Sequence, residues 1–208
     1  ITSAEEQPVL PKGNNLSLYL LELFTSQVAK VGMTDGIRQV LQEESDALRA
    51  YYEQAGILIA RPAGGTSCRL AISAKGGTNA ENHNHNDVGS YAVALGSETM
   101  VGDQGGPNSY PGDYFNGDAP QKYKIKGSFG HPVPVVDGRT QSSGGKAKGV
   151  VLQKEFTNEK DVFSIDYTSA YSTPNLDKLI RTFVYDRQGE GNFTVGDEFT
   201  AKTPIRFE

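Results

Sequence analysis

The sequence has one cysteine, Cys68, so it can build neither an intramolecular disulfide framework nor a cysteine-rich zinc module. This leaves the compartment open. No apolar run approaches the ~20 residues that a helix needs to cross a bilayer. An excess of positive charge is also missing: 20 Lys and Arg stand against 25 Asp and Glu, for a net charge of −5. A binder of duplex nucleic acid normally carries a basic stripe, and this balance argues against one. The chain starts at Ile1 with no signal-like segment, and it ends at Glu208 with no stop signal after a strand-like run. Both ends read as cut, so the chain is expected to be a piece of a longer polypeptide. What remains suffices for a packed domain, since 37% of the 208 residues are hydrophobic and 22% charged.

The hydrophobic period changes near residue 55. Before it, Leu16, Leu20 and Leu23 recur at helical spacing after a capping Asn15, and Gly32 offers a stop. A second helix, capped by Thr34 or Asp35, would carry Ile37, Val40, Leu41, Leu48 and Tyr52 on one stripe. From Gly56 onward the period is two. Strands are expected at 56–61, 68–75, 89–95, 98–103, 132–137, 148–156, 161–168, 179–187 and 192–200. No helical pattern separates them, and the 24 glycines suit tight turns. The fold class expected is therefore mainly β, an antiparallel β-sandwich over 56–208, with 1–55 a helical segment. Residues 104–128 form a long loop rich in Gly, Pro, Asn and Tyr, a length that is usually functional or disordered.

The three histidines carry the chemistry. Two lie in Asn82-His83-Asn84-His85-Asn86-Asp87 and the third is His131. An extended 82–87 would put His83, His85 and Asp87 on one side. Asp103 ends a strand candidate eighteen positions after His85, a natural distance for a neighbouring strand to return. His85, Asp103 and His131 together would make a zinc shell with room for water. The residues alone leave a second reading open, in which these are solvated loop histidines among asparagine turn formers. A cupin-like metal site is a weaker third, because no Glu follows the second His at the expected distance. Lys122, Lys124 and Lys126 alternate before His131, and on an extended segment they would form either a cationic rim or a protected edge.

Taken together, the motifs resemble the heparinase II/III-like polysaccharide lyases. The resemblance rests on Ala74-Lys75-Gly76-Gly77 followed by Asn79 through Tyr91, on Val101-Gly102-Asp103-Gln104-Gly105-Gly106, and on Ser128-Phe129-Gly130-His131-Pro132 through Gly138. Gly56 through Pro62, Arg181-Thr182-Phe183 and Asp197-Glu198-Phe199 resemble further strands of the same domain. It covers about residues 45–208. It implies that 1–55 is the tail of an α/α toroid and that 56–208 is most of a C-terminal β-sandwich. It also implies β-elimination on uronic-acid polysaccharides such as heparin, heparan sulfate or alginate, in a bacterial periplasmic or secreted protein.

The resemblance places His83 near the reacting sugar and puts structural zinc on His85, Asp103 and His131. Asn82 would then donate to the substrate carboxylate, and Tyr110 and Tyr114 would stack on sugar rings or donate protons. Two departures stand out. Residues 1–55 contain no histidine, so the toroid's base and its partners are not supplied and the chain alone is expected to be inactive. Lys122-Tyr123 stands where relatives often have Arg-Tyr, which loses the planar fork that grips an anion. A non-catalytic carbohydrate-binding or scaffold sandwich is the alternative reading of the same residues.

Overall fold

A computed structural model of the chain describes residues 47–103, 106–107 and 109–208. The helices expected before residue 47 lie outside them. The described residues are mainly antiparallel β with almost no helix, as the period of two indicates. In chain order the strands are β1 Arg49–Tyr52, β2 Ile57–Ala60, β3 Leu70–Lys75, β4 Thr78–Asn79, β5 Tyr91–Leu95 and β6 Glu98–Val101. After them come the short helix α1 Ala119–Lys122 and the strands β7 Gly144–Lys148, β8 Val150–Phe156, β9 Lys160–Asp166, β10 Leu176–Asp186 and β11 Asn192–Ala201. One sheet runs β1-β2-β3-β5-β6, a second runs β11-β10-β9-β8, and β4 pairs with β7 as a short ribbon.

Alternation in the sequence decides which side chains face inward. In β10, Leu179, Arg181, Phe183 and Tyr185 are buried, while Ile180, Thr182 and Val184 between them are half-buried. Leu58 and Ala60 of β2 and Ile72 and Ala74 of β3 do the same on the other sheet, and both sets join one hydrophobic cluster. Aromatic rings bridge the layers. Tyr91 of β5 meets Phe183 and Phe193 edge-on, with centroids 6.1 and 5.6 Å apart, and Tyr51 of β1 meets Phe163 at 5.8 Å. Each such burial is worth roughly 1.5–3 kcal/mol, which is why the two faces stay together.

Two expectations about elements fail. Leu48 and Tyr52 do not continue a helix, because Arg49–Tyr52 is a strand whose register pairs Arg49 with Ala60 and Tyr52 with Ile57. The hairpin closes at Gly56, which adopts φ +62. Residues 132–137 are not a strand; only Val136 bridges, to Arg139 and Phe207. Backbone bonds flank that bridge, Val135 exchanging both with Glu208 and Asp137 N–H donating to the Arg206 carbonyl, but Pro132 and Pro134 have no N–H to carry the ladder further.

Candidate functional site

The segment between β4 and β5 carries two of the three histidines and is held by side-chain amides. The buried Gln141 is the centre of this scaffold. Its Oε1 accepts from Asn79 Nδ2 and from the Val88 backbone N–H, both at 3.0 Å, and its Nε2 donates to the Val88 carbonyl at 2.7 Å. Asn86 Nδ2 donates to the Gln141 carbonyl at 3.0 Å and to Ser143 Oγ at 3.1 Å. Asn79 Oδ1 accepts the Asp87 N–H at 3.2 Å. The backbone here makes turns and no ladder, so these bonds take the place of a strand.

That changes the expected geometry of 82–87. The segment is not extended, and His83 sits at φ +57, in the left-handed region that histidine enters more readily than most residues. His83, His85 and Asp87 therefore do not share a side. Asp87 is taken by Lys75, an ion pair between the loop and the end of β3. His85 turns the other way, toward His131.

His85 Nδ1 lies 3.0 Å from His131 Nε2, and His131 Nδ1 lies 3.6 Å from Asp103 Oδ2. One ligand atom from each of the three residues falls within 4.8 Å of the other two. His131 is buried, held between a 3-10 turn at Ser128–Gly130 and Pro132, while the Asp103 side chain beyond the end of β6 is 52% exposed. Two nitrogens that each sit about 2.0–2.1 Å from a tetrahedral zinc are about 3.3 Å apart, so the imidazole pair fits such an ion, and two nitrogens plus a carboxylate is a zinc donor set. Burial lowers the His85 pKa, and His131 and Lys126 lower it further against the opposing pull of Asp103 and Asp87. This favours the neutral imidazole, the form that ligates metal.

On the other side of the loop lies a cleft of about 700 Å³, lined by Asn82, His83, Asn86, Phe115, Lys126 and Ser143 among others. Asn82 and His83 are exposed along its wall, and the His83 ring lies over Phe115 with centroids 4.5 Å apart. The residues around β5's approach thus face two ways, with His85 toward His131 and His83 toward the cleft.

The long loop is partly built. Tyr110 is 56% exposed and packs on Tyr114 and Phe115 at 5.0 and 5.1 Å. Tyr114 is buried among Tyr110, Phe115 and Tyr123, so it supports the aromatic surface and presents no face of its own to a sugar. Burial raises its phenol pKa, and Tyr110 and Asp103 add to the effect. The three alternating lysines do not share a face, because α1 and the 3-10 turn Lys124–Lys126 send them apart. Lys122 pairs with Asp113, Lys124 lies over Phe129, and Lys126 is buried with Nζ donating to the Tyr114 carbonyl at 2.8 Å. Gln141 and Phe115 escaped the sequence reading, which took the buried Lys126 for part of a rim or an edge. Phe115 adjoins Tyr114 and could have been flagged as part of an aromatic cluster; nothing local marks Gln141.

No protein-family model matches the chain, and no curated protein matches it in sequence. Among solved structures it is similar to the heparan sulfate lyase HepC from Pedobacter heparinus. A mutant of that lyase superposes with a TM-score of 0.63 at 17% identity, and another structure of the lyase gives 0.62 at 18%. Each comparison covers 89% of this chain and 28% of the other, so the chain spans just over a quarter of the lyase's length. At that identity the likeness establishes a heparinase-like fold.

Proposed function

We propose that this chain is the sandwich part of a polysaccharide lyase that cleaves uronic-acid glycans by β-elimination. Heparan sulfate leads the candidates, because the structural neighbours are heparan sulfate lyases; heparin and alginate share the required uronate chemistry. One observation carries the reading: His85, Asp103 and His131 converge within 4.8 Å on one side of a loop whose other side presents His83 to a cleft.

In the elimination the C5 proton goes to a base, its electron pair forms the C4–C5 double bond, and O4 departs and takes up a proton. The neighbouring carboxylate must be neutralised for C5 to become acidic. Asn82 donates hydrogen bonds to that carboxylate. His83, steadied by Phe115, moves a proton at the reacting sugar, and Tyr110 and Phe115 offer ring surface to the sugars, with Tyr114 behind them. Zinc on His85, Asp103 and His131 would supply fixed positive charge that pins the loop and holds the two imidazoles together. The principal base, a tyrosine in the lyases that the sequence resembles, would stand on an α/α toroid of the same polypeptide. This chain alone then binds glycan without turning it over. A periplasmic or secreted location is part of the same proposal.

The test is elemental analysis of the purified chain beside His131→Ala. About one zinc per chain, lost in the variant, is expected. A polypeptide carrying the toroid as well should release ultraviolet-absorbing unsaturated uronides from heparan sulfate. No metal in a well-folded sample removes the zinc site, and no such product across a broad uronate panel removes the lyase.

A further inference from the structure

Arg181 of β10 lies outside the loop layer yet touches both segments that carry the imidazoles. It is 5% exposed. Its Nη1 donates to the Gly89 carbonyl at 2.9 Å and to the Pro132 carbonyl at 2.7 Å. Gly89 sits in the turn Asp87–Ser90, four residues after His85 in the same segment, and Pro132 is the residue after His131. The rest of the guanidinium is anchored on β11, with Nε donating to Asp197 Oδ1 at 2.8 Å and Nη2 to Asp197 Oδ2 at 2.6 Å. Tyr167 holds Asp197 in turn, its hydroxyl donating to Oδ1 at 2.8 Å. Gly89 stands at φ +87, and a Cβ added there would meet the Tyr167 ring at 3.2 Å. A side chain there would be strained by the backbone and would crowd the ring, so glycine suits this close approach.

We propose that Arg181 is a positioning residue: one guanidinium, fixed by Asp197 of the neighbouring strand, sets the separation of His85 and His131 by clasping the segment that carries each, at Gly89 and at Pro132. This rests on the zinc reading for its consequence, though the geometry stands without metal. The requirement is for a planar fork in which one nitrogen serves two carbonyls while the others face a carboxylate. Lysine keeps the charge and loses that fork.

Arg187 provides the control. It is equally buried, at 3%, and likewise grips two carbonyls, those of Arg61 and Leu48, together with Asp161. Neither carbonyl belongs to a segment that carries a histidine. A merely structural role predicts that Arg181→Lys and Arg187→Lys behave alike. A positioning role separates them.

The first measurement uses zinc-free protein with 15N-labelled imidazoles, in which the hydrogen bond between His85 Nδ1 and His131 Nε2 gives its own N–H signature. Wild type and Arg187→Lys are expected to keep it and Arg181→Lys to lose it. Tyr167→Phe, which removes only the hydroxyl behind Asp197, folds with little disturbance and should weaken the signature partway. The second measurement is zinc affinity of the folded protein, expected to drop roughly 10- to 100-fold in Arg181→Lys and to hold in Arg187→Lys. A signature absent from wild type, unchanged in both Arg181→Lys and Tyr167→Phe, or lost equally in Arg187→Lys overturns the inference. If wild type shows the signature but binds no zinc, the zinc reading falls and the imidazole measurement still decides the role of Arg181.

Discussion

The space between the two sheets and the layer beneath the histidine loop are both buried, and they are held by different physics. Between the sheets, Phe163, Phe183, Leu179, Leu58 and Ile72 pack by shape and area. Beneath the loop, Asn79, Asn86 and Gln141 are equally buried and hold it through directed bonds. Apolar contact is non-directional and tolerates small shifts. An amide network allows one arrangement, because any departure leaves buried donors and acceptors unpaired. A fold can rest on the first; a site that needs two imidazoles 3.0 Å apart rests on the second.

The comparison can be broken at either end. Phe183→Ala should have the largest effect, a loss of about 3–5 kcal/mol in denaturant unfolding, with unchanged zinc affinity in the fraction that stays folded. Gln141→Leu leaves the Val88 N–H and carbonyl unpaired, at about 1–3 kcal/mol each, so it should come close to that loss, yet weaken zinc binding as well. If Gln141→Leu lowers stability and leaves zinc affinity intact, the amide layer does not set the site. Gly89→Ala should cost about 1–2 kcal/mol in thermal or urea unfolding, because a side chain at φ +87 is strained and its Cβ crowds Tyr167.

The smallest effect is one of pH. Burial holds the Lys126 ammonium below its usual 10.5. The unfolded chain then binds that proton more tightly than the folded one. Stability should accordingly rise with alkaline pH in a window that ends near 10.5. Urea midpoints across that range should show the rise in wild type and a flatter profile in Lys126→Met.

Much of the sandwich was legible along the chain. Eight of the nine strands expected from the period of two correspond to observed ones, because side-chain alternation is a local consequence of a half-buried face. The failures have local causes that outweigh pattern. Val133 and Val135 alternate with Pro132 and Pro134, and those prolines have no donor to extend the short pairing around Val136. Arg49–Tyr52 is too short for its period to distinguish helix from strand, and pairing with β2 decided it. The ribbon of Thr78–Asn79 with Gly144–Lys148 joins segments that say little by themselves.

The site divides in the same way. That His85, Asp103 and His131 would cluster could be proposed from residue type and spacing, because the chain has only three histidines. The orientation of the loop could not be read. An extended reading sent His83, His85 and Asp87 to one side, whereas the turn sends His83 to Phe115, His85 to His131 and Asp87 to Lys75. Nor could the sequence say that three alternating lysines would part, with only Lys126 reaching the interior.

By itself, then, the sequence determined the mainly-β class and the identities of the chemical groups, since both depend on side-chain type and short-range periodicity. Only the tertiary structure decided which groups meet. Arg181 reaches Gly89 across 92 positions and Pro132 across 49, and Gln141 reaches Val88 across 53. Bonds of that span depend on how distant segments pack together, so no local pattern encodes them.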